Sequence, residues 1–455
     1  MTVAVSCAMA LLSGLAAAAY ATPWEARGAE PSAAEQLGLK RPEGQGEGSS
    51  SLSQTVATTP SGAGLFAFDY DAGLFNGQCR RSAGSGYLGF RNPNGSLRLL
   101  GRLPALTTPP VIGGGREALV VFTLDCKRHS ILPFSGALER LRLRTGPLGR
   151  RPTTDTVLSS TAEEQLTTIA ANPSGDLAVA WLAPSGRVGV GIPEPTDLLH
   201  LSIGRTSGSM GSPVVFGVDG VGPRMSNPFF TNVRIAWTGH RELIVAYVVD
   251  SAVMVQTWRP RHGLSRSQAI GGVNPGQGTY LNLAVGPGGR AVIAWGTHED
   301  NIEPESPRKV FASVRTGTGV RFGVAHQLDP GPVTGGHYSG FGGKVQTHVS
   351  SDGFTTVAWA SEKGDGASVC VAVVDPSGHF QPVQELAPDS ANLTLTSAPG
   401  GGTVLQWEVT EWYRRFTLSQ ATRQPGAVSF APAEASALRL GVLDGAELID
   451  SATGE

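Results

Sequence analysis

Seven times along this chain a short apolar run ends in an aromatic residue, and that recurrence limits the fold more than any other feature. The runs are Leu65 to Phe68, Leu119 to Phe122, Leu177 to Trp181, Leu243 to Tyr247, Ala291 to Trp295, Thr355 to Trp359 and Thr403 to Trp407. Successive aromatics lie 54, 59, 66, 48, 64 and 48 residues apart, too close together to head separate domains and too regular for chance. Ala67, Ala180, Ala246, Ala294 and Ala358 directly precede five of the aromatics. Large residues alternating with small ones at period two describe a strand buried on both faces.

The flanks repeat too. Asn172-Pro173-Ser174-Gly175, Gly286-Pro287-Gly288-Gly289, Ser350-Ser351-Asp352-Gly353 and Ala398-Pro399-Gly400-Gly401 each stand just ahead of a run. In such turns proline presets φ and glycine supplies a positive φ. After each run come a variable loop, a second alternating strand, another glycine turn and a short last strand. Four strands in a unit of about 40 to 60 residues is the arithmetic of a β-propeller blade. The expectation is an all-β protein of seven blades, with six or eight left open by the divergent first two repeats.

The combined pattern of turn, Val-Ala-Trp run, alternating strand and Asp375-Pro376-Ser377-Gly378 turn resembles repeats of secreted propeller proteins from high-GC bacteria. That group borders the sialidase-like superfamily, and the resemblance covers roughly residues 52 to 436. It implies an architecture and little about activity. Ser350-Ser351-Asp352-Gly353-Phe354-Thr355 approaches the Asp-box of sialidases but is one residue short between Asp and Gly. It falls in a turn, so it points to a propeller and not to sialidase chemistry.

Residues 1–21 read as a signal peptide, from the apolar stretch Ala8 to Ala19 and the small-x-small site Ala19-Tyr20-Ala21. Residues 22–53, rich in Glu, Gly and Ser, read as a linker or arm, 54–436 as the propeller and 437–455 as a closing strand or a tail. No later stretch is long and apolar enough to span a bilayer. These features predict a secreted, soluble monomer. With 35 Lys+Arg against 37 Asp+Glu, no basic field exists to hold nucleic acid. Export makes a disulfide between Cys79 and Cys126 the natural pairing, leaving Cys370 as a buried thiol in an alternating strand.

Propeller loops that join the second strand to the third lie on the face where a rigid ring usually presents ligand-contacting groups. The candidates there are Asp69 and Tyr70 after the first run, Asp125 and His129 after the second, and His298 and Glu299 after the fifth. Glu411, Trp412 and Arg414 follow the seventh, where an aromatic beside charges suits a sugar ring or a protein interface. His337 and Tyr338 sit in a glycine-rich crossover. The segment 297–305 holds four carboxylates, and Ca²⁺ takes about six to eight oxygen ligands, yet the spacing is not that of an EF-hand. We read it as a solvated acidic loop and expect no cofactor, Ca²⁺ being the one alternative. The reading is a binding or interaction module whose ligand, a glycan or a protein, meets the loop face. The alternatives are a propeller-fold glycoside hydrolase or polysaccharide lyase drawing on Asp69, Asp125, Asp250, Glu299 or Glu411, and a structural surface protein without a pocket.

Overall fold

The structure, a computed structural model, describes residues 52–58, 63–70, 86–94, 96–103, 110–114, 116–127, 138–162, 167–184, 197–206, 210–216, 233–239, 241–249, 252–272, 279–297, 309–329, 345–363, 366–387, 390–411, 415–435 and 447–450. Their strands fall into seven sheets. The first contains β1 (Leu52–Thr58), β2 (Gly64–Tyr70), β3 (Gly86–Arg91) and β4 (Leu97–Leu103), and the second β5 (Val111–Gly113), β6 (Glu117–Lys127), β7 (Leu138–Pro147) and β8 (Thr154–Ala162). The third has β9 (Thr168–Ala171), β10 (Asp176–Pro184), β11 (Asp197–Arg205) and β12 (Val214–Phe216). In the fourth, β13 (Val233–Trp237), β14 (Leu243–Val249) and β15 (Ala252–Arg259) are followed by the short β16 (Gly263–Leu264) and by β17 (Gln268–Gly272), and both of these pair with β15. The fifth comprises β18 (Thr279–Val285), β19 (Ala291–Thr297), β20 (Lys309–Arg315) and β21 (His326–Gln327). The sixth runs β22 (Val345–Val349), β23 (Thr355–Lys363), β24 (Gly366–Val374) and β25 (Gln384–Ala387), and the seventh β26 (Ser390–Ser397), β27 (Thr403–Glu411), β28 (Arg415–Arg423) and β29 (Glu434–Ala435).

Each repeated aromatic run is the second strand of its sheet, as the alternation requires. Leu177, Val179 and Trp181 face the second blade's Leu119, Leu141 and Leu143, while Ala178 and Ala180 face the fourth blade's Val233, Ile235 and Val245. The same division recurs around the molecule: Ile244, Ala246 and Val248 of the fourth blade meet Leu281, Ile293 and Trp295 of the fifth. The core is thus a set of sandwiches between neighbouring sheets, about 10 Å apart, and not one central cluster.

The first strands touch in sequence, β1 to β5, β5 to β9, β9 to β13, β13 to β18, β18 to β22 and β22 to β26. Between β26 and β1 stands β30 (Glu447–Asp450), in contact with both and hydrogen-bonded to β1 in parallel, Ser53 opposite Glu447 and Val56 opposite Asp450. The ring is closed by a C-terminal strand added to the inner edge of the first sheet, which therefore has five strands. The chain is a seven-bladed propeller whose only helical turns among the described residues are Pro287–Gly289 and Pro399–Gly401.

The turns that join first to second strands carry the expected glycines. Gly175 has φ of 77° and its N–H donates to the Asn172 carbonyl at 3.0 Å. Gly289 has φ of 75°, and a Cβ there would lie 2.8 Å from the Thr318 backbone nitrogen, so any side chain would push the neighbouring turn away. Cys370 is a buried thiol in β24, 6% exposed. Cys126 lies in β6, while Cys79, its expected disulfide partner, is outside the described residues.

Candidate functional site: the central channel

One register position recurs on the inner strands. Thr55 pairs with Ala67, Thr168 with Ala180, Arg234 with Ala246, Asn282 with Ala294, Gln346 with Ala358 and Thr394 with Gln406. In every case the inner residue is polar and stands 12 positions before its partner. The equivalent position of the second blade lies outside the described residues.

Thr168, Arg234, Asn282, Gln346 and Thr394 are all half-buried, whereas Val233, Ile235, Leu281, Val345, Leu393 and Leu395 beside them on the same strands are buried. Among the described residues, nothing pairs inside the first strand in the third to seventh blades. These residues of the innermost described strands therefore border the central channel. Two positions further along the strands stand Ala170, Ala236, Ala284, His348 and Thr396. Three alanines in that layer leave room beside the polar girdle.

Hydrogen bonds tie part of this wall together. Thr347 Oγ1 donates to Asn282 Oδ1 across two blades at 2.7 Å. His348 Nε2 lies 3.3 Å from Ser397 Oγ, and burial, reinforced by the Arg423 charge and opposed by Asp352, brings its pKa down to about 4. Arg234 differs from both. Its one hydrogen bond among the described residues goes to the Val233 carbonyl at 3.4 Å, and no described carboxylate pairs with it. Burial lowers its pKa to about 10, which leaves it cationic at neutral pH.

The opposite face, where the first strands turn into the second, is rich in carboxylates, and three of them are engaged by arginines. Glu242 receives Arg259 Nη2 at 2.7 Å and Arg315 Nη2, from the next blade, at 2.5 Å. Burial alone would raise its pKa; the two guanidiniums outweigh that and hold it below the ordinary value. Asp352, the carboxylate of the Asp-box-like turn, takes a bidentate grip from Arg423 at 2.9 and 3.0 Å. Against the cost of burial, Arg423, Ser350 and two backbone amides bring it down to about 2. Asp176 is bracketed by Arg241 of the next blade and Arg205 of its own. Groups so locked join sheets together and have no proton to give at neutral pH.

Of the residues singled out from sequence, Asp69 and Tyr70 end β2, Asp125 lies near the end of β6 and Glu411 ends β27. The topology brings these to the loop-face ends of three consecutive blades, the seventh, first and second. Asp125 falls where the β6–β7 register shifts between Leu124 and Lys127, a bulge that turns the strand out of its ladder. His129, His298, Glu299, His337, Tyr338, Trp412 and Arg414 lie outside the described residues, as does most of the acidic segment read as a Ca²⁺ alternative. Among the described residues no group of His, Cys, Asp and Glu is placed to hold a metal ion. The inner-strand girdle escaped the sequence reading. Its signal is the fixed interval of 12 residues ahead of each run, which becomes visible once the register is known.

Fold and channel together define the class, a seven-bladed β-propeller with a polar girdle around its axis. No family model matches the chain, and no curated protein matches it. Among solved structures, it is similar to an ulvan lyase, a polysaccharide lyase, at 9% identity, covering 85% of this chain and 91% of that one with a TM-score of 0.45. It is also similar to a putative 6-phosphogluconolactonase from Bacteroides uniformis, at 13% identity over 80% of this chain and 94% of that one with a TM-score of 0.45. A third is the Aleuria aurantia lectin in complex with α-methyl-L-fucoside, at 12% identity over 87% and 97% with a TM-score of 0.34. At these identities the similarities assign neither ligand nor reaction to this chain.

Proposed function

We propose that the protein is an exported binding module that receives part of a hydroxyl-rich ligand, a glycan, in the central channel. The observation that carries this reading is the girdle itself: two threonines, an arginine, an asparagine and a glutamine half-exposed at one level of the wall. Buried polar groups are normally satisfied within the protein. A ring of them turned toward the channel offers donors and acceptors matched to sugar hydroxyls. Asp69, Tyr70, Asp125 and Glu411 stand at strand ends on the loop face, and we assign to them contacts with the ligand outside the channel. Export rests on the apolar run Ala8 to Ala19 and the site after Ala21.

The test is a panel of neutral and charged oligosaccharides titrated into the mature chain and into Gln346→Ala and Thr394→Ala. For the ligand that binds, each substitution should weaken affinity about three- to tenfold, the worth of one hydrogen bond at ~1 kcal/mol. The thermal midpoints should remain near that of the parent. If affinity is unchanged in both variants, the ligand does not enter the channel and the proposal fails.

A further inference from the structure

We propose that Arg234 is the oxyanion-recognising group of the channel, and that the saccharide bound there is acidic, presenting a carboxylate or a sulfate to it. This deepens the reading above and rests on it.

A guanidinium is seldom enclosed without a counter-charge. Arg315, 1% exposed, meets Glu242 and Arg423, 0% exposed, meets Asp352, whereas the half-buried Arg234 meets no described carboxylate. Arg234 is the second residue of β13, at the level of the girdle, with a single long bond among the described residues to a neighbouring carbonyl. Among the described residues its other four N–H donors have no acceptor. Desolvation is the sole cause of its lowered pKa, so no carboxylate offsets the burial of the charge. An oxyanion arriving from solvent would supply that charge, and the planar fork of Arg suits the bidentate geometry of carboxylate or sulfate.

The surroundings argue for an oxyanion carried on a sugar over a free ion. Thr168 on the preceding blade and Asn282 on the following one flank Arg234 in the girdle, and Ala236 and Ala284 occupy the next layer on its own and the following strand. One cation among amides and hydroxyls, with small residues beside it, matches one acidic substituent among hydroxyl groups. β30 lines the inner edge of the first blade, and in a ring of seven the fourth blade, which bears Arg234, stands across from it.

The experiment uses the mature chain and three probes of equal length: an oligogalacturonate, its methyl ester, and a sulfated galactan oligosaccharide. Isothermal titration should show one or both acidic probes binding at least about tenfold tighter than the ester, the typical worth of a charge-assisted hydrogen bond. Which of the two prevails distinguishes carboxylate from sulfate. Arg234→Gln should abolish that preference while leaving the affinity for the ester within about twofold, because the ester presents no charge to the guanidinium. Circular dichroism and the thermal midpoint of the variant confirm folding; loss of an unpaired cation should not lower the midpoint. As an independent arm, inorganic sulfate at fixed ionic strength should raise the midpoint of the parent more than that of Arg234→Gln. Equal binding of acid and ester overturns the oxyanion site but leaves the channel as a glycan site. A sulfate effect lost in Arg234→Gln, with no saccharide bound, overturns the saccharide assignment. No saccharide bound and no differential sulfate effect overturn both.

Discussion

Among the described residues, the four largest fully buried side chains are Trp181, Trp295, Trp359 and Trp407, all in the repeated position of the second strand. Trp359, 1% exposed, packs with Val345, Val357 and Cys370 of its own blade and with Val292, Ala294 and Val310 of the preceding one. Truncating such a side chain leaves a cavity between two sheets that rigid backbones cannot close. Trp359→Ala should therefore cost about 3 to 5 kcal/mol in chemical denaturation. A cost below about 1 kcal/mol would mean that the sheets close over the gap. Arg234 on the inner strand makes the opposite case, a large side chain whose enclosure contributes no stability from within the protein. Both positions belong to the same repeat. The aromatic was legible because every run ends in one, whereas the polar residue 12 positions before the alanine varies in identity and forms no motif.

At the scale of the element, three of the turns between first and second strands are tied to the next blade by a pair that no local pattern announces. Arg423 reaches Asp352 across 71 positions of sequence, packs its guanidinium 4.7 Å from the Phe354 ring centroid, and donates to the Ala427 carbonyl at 3.0 Å. Removing it strands a half-enclosed carboxylate, and Arg423→Ala should destabilise by about 3 to 5 kcal/mol. The same turn governs the response to acid. The folded pKa of His348, about 4, lies below its ordinary value of 6.5, so in that window the unfolded chain binds a proton that the folded chain refuses. Stability from this residue is complete above the unfolded pKa and falls as pH drops toward 4. Asp352, ordinarily at 3.8 and here at about 2, adds a second loss as pH falls through that lower interval. Midpoints measured against pH should decline in both windows. His348→Gln should flatten the upper one and Asp352→Asn the lower one; a profile unchanged by either substitution would show that other groups govern acid unfolding.

At the scale of the whole molecule, closure depends on a strand far from the repeats. β30 fills the join between the first and seventh blades, pairing with β1 and touching β26. A chain ending at residue 446 should keep the β-type far-UV spectrum of seven sheets but unfold at a lower temperature, by several degrees, because an open inner edge and a loosened join remain. An unchanged midpoint would show that the ring closes without it. The full mature chain should give less than about a fifth helix by circular dichroism, against ~30% in mixed domains.

The sequence alone determined the strand period and the turns, and it favoured seven blades while leaving six or eight open. Each of these is set by local rules: alternation fixes a strand, and glycine or proline at a given place fixes a turn. Tertiary structure decided what those rules leave open. Arg315 meets Glu242 over 73 positions and Arg241 meets Asp176 over 65 because neighbouring sheets stack at one level, whatever the lengths of the loops between them. Five polar residues, Thr168, Arg234, Asn282, Gln346 and Thr394, share one level of the innermost strands because each pairs with the same position of its blade. Only closure of the ring turns that shared register into a wall around one axis.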